Sequence, residues 1–192
     1  MKRKKFFRKP IVLIICFLLI KTFVIPNLYS FKNRSNLHKN VYNFLQNKNN
    51  RSLAYSSAVK LHDGNPSNTC VYFVSEVLRR NNCEIPNHMS NVGNFIPFLK
   101  EKGWIKKTDY KDLKPGDICF STDKYGSKTG VPSHTYVFMS WVEEGNYDYA
   151  YICDNQARDY NDKIYHIRNI AITDKVNGFT KDPFNFFMIS PK

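Results

Sequence analysis

The sequence predicts an α+β domain, with helices first and an antiparallel sheet after them, preceded by a membrane-anchoring segment. Three observations lead there. Met1 to Ile25 joins a basic head to an apolar run. Residues 54–101 place apolar side chains at helical spacing. From Ile118 onward, short apolar runs alternate with turns rich in Gly, Pro and Asn, the pattern of a meander. Of the 192 residues, the N-terminal segment leaves roughly 130–160 for folding, which suits one domain. Aromatic residues make up 15% of the chain, ample core material that excludes a disordered protein.

Residues 1–28 form the first unit. Met1 to Lys9 is basic, Ile11 to Ile20 is continuously apolar, and Thr22-Phe23-Val24-Ile25 extends the run past Lys21 to Pro26. The apolar stretch of about 15 residues lies between a signal-peptide core and a full membrane helix. No small-x-small cleavage pattern follows it, since the chain reads Ile25-Pro26-Asn27-Leu28-Tyr29-Ser30. Cys16 likewise lacks the small residues that a lipoprotein site places before its cysteine. An uncleaved signal anchor is therefore expected over a cleaved signal. The basic head stays in the cytoplasm and the remainder lies outside the cell, or is secreted if cleavage occurs. Lys21 can extend its ammonium to the outer interface.

Seven of the 29 basic residues sit in this segment, with no acidic residue. The remaining 22 face 16 acidic ones, a net of +6 within a total of +13. No basic cluster follows the N-terminus, which argues against nucleic acid as a partner. A mildly basic exterior suits an anionic wall polymer, or serves solubility alone.

Residues 29–51 are rich in Asn, Lys and Ser and read as a polar stalk, with a short helix possible over Asn40–Gln46. The globular domain is expected over residues 52–192. Ala54, Tyr55, Ala58 and Leu61 share one helical face. The turn-rich Asp63-Gly64-Asn65-Pro66-Ser67-Asn68 follows, and a strong helix is expected from Thr69 to Arg80 with Ser67 or Asn68 as N-cap. Another helix is expected over Phe95–Glu101, capped by Asn94, with Pro97 in its first turn. Leu113-Lys114-Pro115-Gly116-Asp117 reads as a turn, and Asp117 as a residue that shapes it. Strands are expected over residues 118–120, 135–142, 149–154, 163–168 and 186–189, with a hairpin turn at Glu144-Gly145-Asn146.

Cys70 is the candidate nucleophile. In the first turn of its helix it meets free N–H groups and the positive end of the dipole, which favour a thiolate and can hold an oxyanion. A nucleophilic thiol needs a base. His134, at the start of the 135–142 strand, is the best placed of five histidines. A third group must orient that imidazole. If Ala150 and Ile152 point inward, Asp154 shares their face, and the hairpin brings it beside His134. Asn155 is the rival orienter, with Gln156 behind it.

Asn68-Thr69-Cys70-Val71-Tyr72-Phe73-Val74 at a helix start, Leu113-Lys114-Pro115-Gly116-Asp117-Ile118 before a strand, and His134 opening a later strand resemble, in that order, the NlpC/P60 and CHAP superfamily. These are papain-like bacterial cell-wall hydrolases, and the resemblance covers roughly residues 55–155. It implies a papain-like fold with Cys70 as nucleophile, His134 as base and Asp154 or Asn155 as third residue. Tyr55 resembles an upstream site tyrosine more weakly. The resemblance further implies a peptidase or amidase that cleaves a peptidoglycan stem peptide through a thiol acyl-enzyme, without a cofactor. Thr69-Cys70-Val71-Tyr72 departs from the usual Asp-Cys-Ser-Gly, and Tyr136 stands where a small residue is usual, so the CHAP-like branch is favoured. A wall-binding or assembly module that kept this fold without catalysis is the alternative.

Bland roles are expected elsewhere. Cys119 and Cys153 read as small core residues, although four cysteines beyond the anchor are enough for two disulfides. Cys83 falls in a loop. His38, His62, His88 and His166 read as surface or loop histidines, and no Cys or His pair shows metal-ligand spacing. Trp104 and Trp141 read as core.

Overall fold

A computed structural model describes residues 36–191, which carry an α+β fold of four α-helices and an antiparallel sheet. The helices are α1 (Leu37–Gln46), α2 (Lys48–Leu61), α3 (Cys70–Arg80) and α4 (Val92–Glu101). The strands are β1 (Ile105–Lys107), β2 (Ile118–Ser121), β3 (Thr135–Glu143), β4 (Asn146–Cys153), β5 (Tyr165–Asn169), β6 (Asp174–Val176), β7 (Phe179–Lys181) and β8 (Phe184–Ile189). Six of them form one sheet in the order β1-β8-β2-β3-β4-β5, and β6 pairs with β7 separately. The expected anchor and residues 29–35 of the expected stalk lie outside the described residues. Among the described residues, no helix is long and apolar enough to cross a membrane.

Alternation along the strands builds two apolar layers. Ile118, Phe120, Val137, Met139, Phe186 and Met188 face the helices and join Val71, Val74, Leu78, Phe95 and Leu99 in the main core. Cys119, Tyr136, Phe138, Ala150, Ile152 and Phe187 form a second layer on the opposite face. Cys119 and Cys153 are buried free thiols, as core residues would be. Trp104 packs against the main core and Trp141 against the second.

The domain does not begin at Ser52. Leu37, Val41 and Leu45 lie one helical turn apart along α1 and are all buried in the main core. Asn47 then caps α2, its side chain accepting from the Asn49 and Asn50 N–H groups at 2.9 and 3.3 Å. The polar composition of this stretch belongs to the outer faces of two packed helices, so residues 37–51 are domain and not stalk.

Gly116 explains how α1 is seated. Its φ is +94°, and a Cβ at this position would overlap the His38 carbonyl of α1. Only glycine allows both the turn and the close approach. Asp117 shapes the same turn, its Oδ2 accepting from the Lys114 N–H at 2.8 Å.

Smaller differences concern caps and short strands. α4 starts at Val92 with Asn91 as its cap, which places Pro97 in mid-helix and not in the first turn. β1, β6 and β7 are three residues each, too short to leave a pattern in sequence.

Candidate active site

The loop before α3 sets the thiol. Asn65 Oδ1 accepts from the Ser67 N–H at 2.9 Å, and Asn68 takes a left-handed φ of +58°. The N-cap is neither Ser67 nor Asn68 but Thr69. Its hydroxyl turns back and donates to the Pro66 carbonyl at 2.9 Å, so it makes no capping bond to the helix. The first helical bond runs from the Phe73 N–H to the Thr69 carbonyl at 2.8 Å. Cys70 is therefore the first helical residue, at an N-terminus whose donors are not taken up by a cap side chain. Cys70 is a free cysteine, intermediate in exposure as a whole residue.

β3 and β4 bring the other two residues together. His134 lies just before β3, and its carbonyl accepts from the Ser121 N–H at 3.1 Å. Asp154 directly follows β4, whose Cys153 pairs with Val137. His134 Nε2 lies 2.8 Å from Asp154 Oδ2. With Nε2 engaged there, Nδ1 is the nitrogen left for the thiol, which hydrogen-bonds to this ring. The imidazole is 6% exposed and the carboxylate 0%.

The electrostatics follow from these contacts. Burial alone would raise the Cys70 pKa. The bond from His134, its charge, and the N–H groups of Thr135 and Val71 outweigh burial and bring the thiol below its ordinary value. Burial alone would lower the His134 pKa, but the bonds to Asp154 and Cys70 and the charges of both raise it. For Asp154, burial is overcome by the charge of His166, the His134 bond and Arg168, which hold the carboxyl well below its usual range. Both shifts run in the direction of a thiolate–imidazolium pair backed by a carboxylate, an arrangement that can supply a nucleophile and a proton donor.

Asn155 does not orient the imidazole. Its Nδ2 donates to the Pro66 carbonyl at 3.5 Å, bracing the loop that carries Cys70. Gln156 uses its backbone, the N–H donating to Asp154 Oδ1 at 2.8 Å. Tyr55 is partly buried on α2, and Asp154 is among the charges that act on its hydroxyl.

His166 is not a surface histidine. It is 5% exposed, stacks on the Tyr160 ring at 3.5 Å between centroids, and places Nε2 3.8 Å from Asp154 Oδ1. Its Nδ1 donates to the Lys163 carbonyl at 2.8 Å. Arg168, 2% exposed, places Nη1 3.9 Å from Asp154 Oδ2. Neither was singled out as a site residue from sequence. The available signal was the alternation Tyr165-His166-Ile167-Arg168, which sets both residues on one face of a strand and the exposed Ile167 on the other. Among the described residues, no group of three or more His, Cys, Asp or Glu is placed to hold a metal ion. No family model, curated protein or solved structure matches the chain.

Proposed function

We propose that the chain is a papain-like cysteine hydrolase that cleaves an amide bond in a peptidoglycan stem peptide, held at the outer face of a membrane by its N-terminal segment. The observation that carries the reading is a free thiol at a helix N-terminus beside a buried His–Asp pair. In the reaction, Cys70 Sγ attacks the amide carbonyl carbon, and the oxygen becomes an oxyanion beside the Cys70 N–H. His134 gives its proton to the amine nitrogen as the C–N bond breaks. A water then loses a proton to His134 and attacks the thioester. Expulsion of the thiolate releases the carboxylic acid, which ionises in water, and restores the thiolate–imidazolium pair.

The cell-wall assignment rests on the order of the Cys70, Leu113–Ile118 and His134 motifs together with the N-terminal anchor pattern. The test is incubation of the full-length chain with purified peptidoglycan and mass spectrometry of the released fragments. New free amines at a stem peptide are expected, with Cys70→Ala lowering their release by about 10³-fold or more. Equal release by Cys70→Ala would overturn Cys70 as the nucleophile, and wall binding with no release by the wild type would replace the enzyme with a non-catalytic wall-binding module.

A further inference from the structure

Behind Asp154 lies a buried charged layer that the reaction above does not use. Register places it: Ile152 pairs with His166 and Ala150 with Arg168, so His166 and Arg168 share the sheet face of Ala150 and Ile152. Among the described residues, the Arg168 guanidinium meets a carboxylate only at the long end of ion-pair range, Asp154. Its Nη2 donates to the Asp182 carbonyl at 2.7 Å, its Nη1 reaches Gln156 Oε1 at 3.5 Å, and Nε has no hydrogen-bond partner among the described residues. Its Cζ lies 5.3 Å from the centre of the Tyr136 ring. Burying an arginine costs several kcal/mol unless nearby charge compensates it. The carboxylate within reach is Asp154, 3.9 Å away and itself fully buried. Gln156 links the two, its N–H on Asp154 Oδ1 and its Oε1 between Arg168 and Lys181. Lys181 is in turn paired with Asp159, which leaves Asp154 as the carboxylate that answers Arg168.

Resting on the reading of Cys70, His134 and Asp154 as the reacting group, we infer that Arg168 is a positioning residue that keeps Asp154 anionic and fixed beneath His134. The titratable groups facing this pair are His134 and His166 on the carboxylate, Tyr136 and Tyr160 beside the guanidinium, and Cys119 on β2. Burial raises the Tyr160 hydroxyl well above its ordinary value, out of the working range, and does the same to Tyr136 and Cys119. Arg168 is therefore the permanent cation of the cluster. Removing a cation makes every nearby acid weaker, so Cys70, His134 and Asp154 all shift in the same direction.

The test follows alkylation of Cys70 by iodoacetamide in the full-length chain as a function of pH, which needs no substrate. In Arg168→Gln, both limbs of the reactive window should move to higher pH by about one unit or more. Arg168→Lys, which keeps the charge, should return them most of the way. A loss confined to packing would instead lower the amplitude in both variants and leave the limbs in place, which overturns the inference. Should Arg168→Gln fail to fold with its carboxylate partner uncompensated, the double variant with Asp154→Asn removes both charges. Relative to Asp154→Asn alone, that double variant should shift the window less than Arg168→Gln shifts the wild type, and a further shift of equal size would overturn the inference. The reading of Cys70 is tested separately in the wild type, where a Cys70 no more reactive than Cys83 at neutral pH would defeat it.

Discussion

Asp154 and Asn155 are neighbours with opposite assignments. The carboxylate takes His134 Nε2 at 2.8 Å, whereas the amide braces the Pro66 carbonyl. Asp154→Asn should lower Cys70 reactivity and any amide hydrolysis by about 10²-fold, because a neutral orienter no longer stabilises the imidazolium. Asn155→Ala should cost less than about 10-fold. Alkylation rates at neutral pH compare the two, and the reverse order would give the orienting role to Asn155. Cys70 and His134 were legible in sequence because each sits at an element boundary marked by turn residues. The choice of Asp154 also followed from strand alternation and the hairpin. His166 and Arg168 escaped because alternation shows only that they share a face. That this face closes over a carboxylate at the end of β4 depends on the pairing of β5 with β4, which no local pattern records.

The turn before β2 was legible as an element, and its chemistry supplies a stability test. Burial raises Asp117 from 3.8 to about 6, against the Lys114 N–H and the Lys114 charge, which lower it. The folded state thus holds this proton more tightly than the unfolded chain. The stabilisation is fully present below about pH 4 and is lost as pH rises through about 6, after which a charged carboxylate stays buried at a cost of up to about 3 kcal/mol. Asp117→Asn keeps an acceptor for the Lys114 N–H and removes the charge. It should raise the urea midpoint at pH 7.5 and give no gain at pH 4. A less stable variant at pH 7.5 would show instead that the charge strengthens the turn. The α3 start shows what sequence could not give. Turn propensity marked residues 63–68, but the left-handed Asn68 and the Thr69 bond to Pro66 moved the cap by one or two positions. Both depend on how the loop folds back on itself.

At the scale of the whole molecule, the class and the order of helices and strands were legible, and the N-terminal boundary was not. Asn and Lys dominate residues 29–51, and three apolar residues spaced by four are a weak signal until the core they fill is known. Leu45 is 0% exposed, so Leu45→Ala should destabilise the domain by about 2–5 kcal/mol. Denaturant unfolding measures this, and an unchanged midpoint would return the segment to a stalk. The sheet order carries a consequence for how the molecule is made. β8 follows every other strand of the described residues, yet it pairs with β1 on one side and β2 on the other. During synthesis, β2 and β3 can form their hairpin early, but β1 has no neighbour until residues 184–189 arrive. Closure across so long a sequence separation is slow, and until it happens one edge of β2 stays open. A ribosome-released fragment lacking β8 should therefore remain sensitive to protease and prone to strand-to-strand association, while a chain that includes residues 184–189 protects that edge with β8.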